Sequence, residues 1–335
     1  MGKSINYIGS KANLLPFLQT NIDDVVKNDL SHMVFCDIFA GTGVVGAFFK
    51  EKVKKVISND LEYYSYVLNR NAIKNTQDHK LYEKYIDELN GLDAKDEGII
   101  YKNYALGSGS KRNYFSDENA KMIDTARMQI ERWHKSDEID EEGYFFLLAS
   151  LLQSADRVAN ITSLYGAFLK KLKKTAQQRL VIVPALYQPS KKINEVYNKD
   201  ANELISEIEG DILYIDPPYN HRQYGANYHI LNTIALYDDV SFHGKTGVRD
   251  YVSSSYCKKS EVYESFEQLI RDARFRYIFV SYNNEAYMEQ ERIKNIMSKY
   301  GNYLLKKQEH QRFKSYKKYR ASTEEHLHIL IKEDH

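Results

Sequence analysis

The chain has 335 residues, about two domains' worth at roughly 150 residues each. Hydrophobic residues make up 43% and charged residues 28%, which excludes disorder over most of the length. Lys and Arg number 47 against 46 Asp and Glu, a net charge of +1, so a globally basic nucleic-acid coat is excluded but a local basic face is not. The first predicted element is a helix from Leu14 to Asp24, with Leu14, Leu15, Leu18 and Ile22 at helical spacing. Met33 to Phe39 reads as a short strand carrying Asp37. It runs into a glycine turn and a helix from Val44 to Lys50. Val53 to Ser58 is a second strand, with Asp60 just past its end, and Leu61 to Lys74 is again helical. Strand-helix-strand-helix order predicts a parallel sheet covered by helices. Between Asn75 and Lys174 helical periodicity dominates, in Ala120 to Trp133 and Tyr144 to Asn160, around a polar loop from Gly107 to Arg112. Strand-like runs return at Leu180–Val183, Ile212–Ile215, Tyr277–Val280 and Leu327–Ile331. The pattern predicts an α/β domain made of 1–74 and 180–335, interrupted by a mainly helical insert at 75–179. The longest apolar run, Tyr144 to Leu152, is too short for a bilayer. The N-terminus lacks an apolar signal-peptide core. A cytoplasmic, soluble protein with no membrane partner is expected.

Two motifs carry chemistry. Gly41-x-Gly43-x-x-Gly46 follows a predicted strand and opens a predicted helix. Glycines let the chain turn sharply and let a ligand approach the main chain, while the helix start offers free amides. Asp60 lies near the spacing at which an acid holds a ribose in dinucleotide folds. Taken alone, this turn leaves a nicotinamide enzyme and a bare strand-to-helix connection both open.

The second motif is Ile215-Asp216-Pro217-Pro218-Tyr219, where an apolar strand meets an acid, two prolines and an aromatic. Successive prolines fix φ and remove two amide donors. The resulting rigid loop sits where α/β folds bind ligands, at the carboxyl end of a strand. It offers a carboxylate, free carbonyls and a ring face. These suit the exocyclic amino group of adenine: Asp216 accepts one N–H, a carbonyl of Pro217 or Pro218 accepts the other, and Tyr219 stacks on the base. Accepting both hydrogens draws the nitrogen lone pair out of conjugation and makes a poor nucleophile usable. A rigid turn with a capping Asp explains this string less well.

On these residues the chain resembles an amino-group DNA methyltransferase of the Dam-like, alpha-order, N6-adenine class, over nearly its whole length. Tyr7-Ile-Gly-Ser-Lys11 is similar to the family's N-terminal motif, whose aromatic and Lys help hold S-adenosyl-L-methionine. Asp37, Phe39, Gly41, Thr42 and Gly43 resemble its cofactor loop. Asp60 matches the acid that binds the cofactor ribose, and Asp200 resembles the acid near the cofactor adenine. Asp216, Pro217, Pro218 and Tyr219 match the catalytic loop, with Asp216 also beside the cofactor. Ser281-Tyr-Asn-Asn284 resembles a later motif near the active site. Within the class, Asn220 to Asp238 is similar to type II enzymes for short palindromes, including those for CATG. The resemblance implies a Rossmann-like S-adenosylmethionine-dependent methyltransferase sheet. It implies transfer to a flipped adenine in duplex DNA, release of S-adenosyl-L-homocysteine, no metal, and the helical insert as target-recognition domain. It also implies the modification half of a type II restriction–modification system, paired with a cognate restriction endonuclease.

Transfer is then a direct in-line displacement, helped by positioning and by acceptors aimed at a nitrogen that becomes positive. The flip costs a few kcal/mol. A covalent cysteine route is not supported, because neither Cys36 nor Cys257 follows a proline. Candidate DNA contacts are Lys111 and Arg112 in the insert's polar loop, Arg222 beyond the catalytic loop, and Lys245 and Arg249 in a second polar loop. Arg312, Lys314, Lys317, Lys318 and Arg320 join them in a stretch where Phe313, Tyr316 and Tyr319 interleave with the basic residues. Short charge clusters equally fit a solvated face. His326 and His328 alternate on one side of a strand, and without a third ligand they read as packing residues. The same amino-methyl transfer to cytosine N4 or to RNA adenine is the alternative. A nicotinamide oxidoreductase leaves Asp216 to Tyr219 unexplained, and a non-catalytic DNA-binding module needs no cofactor loop.

Overall fold

The computed structural model describes residues 5, 7, 9–283, 286–311 and 322–332. The chain divides into two compact units, each assembled from several segments. One comprises Lys11–Leu61, Ile193–Gln223 and Ser253–His335; the other comprises Met1–Ser10, Glu62–Lys192 and Tyr224–Val252.

The first unit holds a seven-stranded sheet. In chain order its strands are β1 (Val34–Asp37), β2 (Lys55–Asn59), β3 (Glu195–Tyr197) and β4 (Glu209–Ile215). Then come β5 (Arg274–Asn283), β6 (Gly301–Gln311) and β7 (Ser322–Lys332). Their order across the sheet is β3-β2-β1-β4-β5-β7-β6. The strands from β3 to β5 run parallel, and β7 runs antiparallel to both of its neighbours. This is the mostly parallel α/β sheet expected from the alternating elements, and the Rossmann-like sheet that the resemblance implies. One register line crosses the sheet through Ile57, Cys36, Leu213, Ile278 and Leu330. All five belong to one apolar core, together with Val262, Phe266, Leu269 and Ile270 of the helix Val262–Asp272. Each fully buried apolar side chain contributes about 1.5–3 kcal/mol. Cys36 is wholly buried, which pushes its thiol well above the ordinary range and makes it a core residue. The strands β3 and β6 were not expected from sequence. β3 is only three residues long, and β6 is an edge strand whose Asn302, Leu304 and Lys306 face solvent.

The second unit is mainly helical. Ser116 and Asp140 cap the helices Asp117–Lys135 and Glu141–Val158 through the amides of Asn119 and Gly143. The helices Tyr63–Asn69 and His229–Leu236 share their core, through Tyr64, Val67 and Leu68 and through Ile230, Leu231 and Ile234. The compact units therefore part the chain elsewhere than at 74 and 180. The helix from 63 and the segment 224–252 pack with the helical unit because their apolar faces are buried there. No described helix is long and apolar enough to cross a membrane.

Leu180–Val183 is not a strand. The segment runs extended, but side chains replace a ladder. Asn119 Oδ1 accepts from the Leu180 amide at 2.8 Å, and Asn90 Oδ1 from the Ile182 amide at 2.8 Å. Asn90 Nδ2 donates back to the Ile182 carbonyl at 2.9 Å, and Ser154 Oγ accepts from the Val183 amide at 3.0 Å. Leu180 and Ile182 are buried while Val181 is exposed, so the strand-like alternation is real and only the pairing partner differs.

Candidate active site

The turn after β1 is built by its glycines. Gly41 and Gly43 take φ values of 53° and 78°, which side chains resist. The Gly43 amide donates to Ala40 O at 2.8 Å, and Gly43 begins the helix Val44–Phe49. The turn is tied to the end of β2 twice. Ala40 N donates to Asn59 O at 2.9 Å, and Gly41 N donates to Asp60 Oδ2 at 2.7 Å. The Asn59 side chain extends the tie, donating to Ile38 O at 3.1 Å and to Lys199 O at 3.1 Å. Asp200 caps the short helix Ala201–Leu204 by accepting from Asn202 N at 2.8 Å. Half-buried Phe39 packs edge-on against Tyr256 at 4.9 Å. Phe39, Gly41, Thr42, Gly43, Asp60 and Asp200 thus lie on loops that follow β1, β2 and β3.

Asp37 closes this group from below. It is 1% exposed; among the described residues no well-formed hydrogen bond reaches either carboxyl oxygen, and the nearby Gly46 amide only partly offsets its burial. Burial pushes its pKa well above the carboxylate range, with nearby Asp216 and Asp60 adding to the effect. A buried carboxylate left without donors is costly unless a cation or a donor completes it.

The loop after β4 forms a tighter cluster. Lys11, only 5% exposed, places Nζ 2.9 Å from Asp216 Oδ1, 2.7 Å from the Tyr219 hydroxyl and 3.5 Å from Glu325 Oε1. The Tyr219 hydroxyl donates to Asp216 Oδ1 at 2.7 Å and lies 3.2 Å from Glu325 Oε1. Both contacts to Asp216 fall on Oδ1, and among the described residues Oδ2 carries no hydrogen bond. Pro217 and Pro218 follow with no amide hydrogens. The Tyr219 ring stands edge-on to Tyr282 at 4.9 Å, and Tyr287 N donates to Tyr219 O at 3.0 Å. Burial raises the Asp216 pKa; Lys11 opposes this, Glu325 adds to it, and the net shift is upward. Burial pulls the Lys11 ammonium down, but Asp216 and Glu325 outweigh it and hold it above its ordinary value.

The sequence also brings this loop pattern into a known set. Residues 7–296 match the model of the D12 class N6 adenine-specific DNA methyltransferases. The chain belongs to that family. It is 55% identical over 333 residues to the type II methyltransferase M.NlaIII of Neisseria lactamica, covering 98% of this chain and 99% of that one. It is 40% identical over 314 residues to the type II methyltransferase M.CviAII of Paramecium bursaria Chlorella virus 1, covering 93% of each. Over 344 residues it is 41% identical to M.FokI of Planomicrobium okeanokoites, where the match covers 98% of this chain but 53% of the relative. The protein is an adenine-specific DNA methyltransferase close to the type II modification enzymes, and the acceptor alternatives left by the sequence are closed.

Within this D12-class enzyme the sequence-predicted residues do not all fall together. Lys11, Asp37, Phe39, the glycine turn, Asp60, Asp200 and Asp216 to Tyr219 share the sheet-bearing unit, while Tyr7 belongs to the helical one. There Tyr7 stacks on Tyr228 at 5.1 Å and tilts against Tyr224 at 5.5 Å. Lys111, Arg222 and Lys245 are exposed. Arg249 is not: it is 6% exposed and makes a bidentate pair with Asp238, both bonds 2.8 Å, so its donors are spent inside the protein. Arg112 is half-buried and braces the second polar loop, donating to Gly244 O at 3.1 Å. That loop is a hairpin between Phe242–His243 and Val248–Arg249. Tyr104 holds Gly247 O at 2.7 Å, and His229 Nε2 meets Thr246 O at 3.1 Å, leaving Lys245 at the tip. Arg112 and Arg249 thus brace the hairpin from within the protein. Arg312, Lys314, Lys317, Lys318 and Arg320 lie outside the described residues. Sequence reading missed Glu325 and Asn59, since neither sits in a motif and both act through partners far along the chain.

Proposed function

We propose that the Asp216 loop is the amino-group acceptor site and that the loops after β1, β2 and β3 hold S-adenosyl-L-methionine. The carrying observation is the Asp216 carboxylate. Lys11 and Tyr219 fix one of its oxygens, and the other is left to accept an N6 hydrogen. The second hydrogen goes to a carbonyl of Pro217 or Pro218, and the Tyr219 ring meets the flipped base. Asp216 has to be ionised to accept, which Lys11 favours against burial. When bound, the cofactor supplies the methyl group from its sulfonium. The residues present fit it: Asp37 is a buried carboxyl group with hydrogen-bonding capacity left for a ligand donor, Asp60 stands at the glycine turn for the ribose hydroxyls, and Asp200 stands at the adenine end. The amino nitrogen sheds its proton after transfer.

Lys111, Arg222 and Lys245 are the proposed phosphate contacts, and the helical unit is the proposed target-recognition part. A short palindrome such as CATG is the first recognition site to test. The enzyme would act in the cytoplasm beside a cognate restriction endonuclease, a reading supported by its similarity to relatives named type II methyltransferases. The test is modification-sensitive long-read sequencing of plasmid from methylation-free cells expressing the protein, beside Asp216→Ala. N6-methyladenine at one short motif, absent in the control, supports the reading. A fully modified plasmid from Asp216→Ala overturns the role given to Asp216. Resistance of the plasmid to a nuclease of the same specificity tests the protective role.

A further inference from the structure

From the cluster at the Asp216 loop we infer that Glu325, on β7, is a positioning residue for methyl transfer that offsets the charge of Lys11. This rests on the reading of Asp216 as the amino-group acceptor. Lys11 has two carboxylate neighbours, Asp216 at 2.9 Å and Glu325 at 3.5 Å. Glu325 is 7% exposed, and its Oε1 also lies 3.2 Å from the Tyr219 hydroxyl. The groups facing this knot are Lys11, Asp216, Tyr219 and Glu325, with Asp37 and Tyr214 electrostatically coupled to it. His326, the next residue on β7, turns the other way and pairs with Glu324 at 2.6 Å.

Consider the charges. Asp216 and Lys11 alone make a neutral pair. The amino nitrogen of adenine becomes positive as its bond to carbon forms, so an ammonium beside Asp216 opposes the reaction through the same field that orients the carboxylate. A second carboxylate returns the knot to a net negative charge. Lys11 can then orient Asp216 without raising the barrier. In a site shielded from water such fixed charges act strongly on the transition state. No proton, electron or bond changes hands at Glu325. It acts through Lys11 and Tyr219.

Two substitutions separate charge from shape. Glu325→Gln keeps the size and the acceptor but removes the charge, while Glu325→Asp keeps the charge on a shorter arm. With full-length protein, unmethylated plasmid DNA and labelled S-adenosyl-L-methionine, Glu325→Gln should lower kcat about tenfold or more. Its KM for the cofactor should stay within about twofold, since the cofactor loops are untouched. Glu325→Asp should retain more activity than Glu325→Gln. The acidic limb of the kcat profile should also move to lower pH in Glu325→Gln, because a charge that raises the Asp216 pKa has gone. In a Lys11→Gln background, Glu325→Gln should cost less than about twofold, because there is no ammonium left to offset. Glu325→Gln with wild-type kcat and an unmoved limb, beside an inactive Asp216→Ala, overturns the role of Glu325 and leaves the site reading standing. An active Asp216→Ala overturns the site reading itself. If Glu325→Gln fails to fold, Glu325→Asp and the Lys11→Gln pair decide: equal losses from Glu325→Asp in both backgrounds refute the charge role.

Discussion

The Asp60 carboxylate accepts the amide hydrogen of Gly41 at 2.7 Å. The acid at the end of β2 is therefore already bonded to the glycine turn after β1, and under the proposed reading the same side chain also holds the cofactor ribose. Asp60→Ala should weaken S-adenosyl-L-homocysteine binding about tenfold or more, close to the loss of one charge-assisted hydrogen bond. Asp60→Asn keeps an acceptor for Gly41 and should lose less. Calorimetric titration of the two variants checks the order; equal loss would assign the effect to the ligand contact alone.

The two basic residues of the hairpin at 242–249 should behave differently. Arg249→Ala removes a buried side chain and its bidentate pair with half-exposed Asp238, and should cost about 1 kcal/mol of stability. Lys245→Ala should leave stability unchanged and reduce the salt dependence of DNA binding by about one unit of slope. Denaturant midpoints and binding at two salt concentrations separate the cases.

Asn90 bonds both the amide and the carbonyl of Ile182. Asn90→Ala leaves those groups without their partner, at a cost of about 1–3 kcal/mol. Asn90→Asp keeps one acceptor and should fall between. Urea unfolding measures both.

Acid should weaken the fold through two buried rings. Burial pushes His229 down to about 4 and His328 down to about 3. The Tyr303 hydroxyl and His328 Nδ1 lie 2.8 Å apart, a hydrogen bond that a neutral ring can make in either tautomer. The unfolded chain takes up protons below about pH 6.5, and the folded rings do not follow until their lower pKa values. Stability is thus lost as pH falls through this window, by up to about 1.4 kcal/mol per pH unit for each ring. Asp37, Asp124 and Asp216 have raised pKa values and act in the opposite direction. The difference between His328→Gln and the unsubstituted protein at pH 7, 6 and 5 isolates one ring; a constant difference would contradict the assignment.

What could be read in the sequence was local. The glycine turn and the Asp216 loop state their conformations within a few residues, through positive φ and through paired prolines. The helices Asp117–Lys135 and Glu141–Val158 announce themselves by apolar spacing, and so do the parallel strands by short apolar runs. The rest depends on distant partners. Leu180 to Val183 has the alternation of a strand, but Asn90, Asn119 and Ser154 supply its bonds. Arg249 looks like a surface cation until Asp238 is placed beside it. Glu325 is one of two adjacent glutamates in a polar stretch, and only the fold brings Lys11 and Tyr219 to it.

β7 lies inside the sheet, yet it leaves the ribosome after every other strand. While it is being made, β6 lacks the neighbour it pairs with, since β7 is its sole partner among the described strands. A nascent chain can thus expose the glycine turn, Asp60 and the whole Asp216 loop while Lys11 still lacks Glu325. Partial translation products carry the recognisable motifs but an open sheet and an unfinished acceptor. Under the proposed reading, the acceptor site is complete only once the strand that closes the gap is in place.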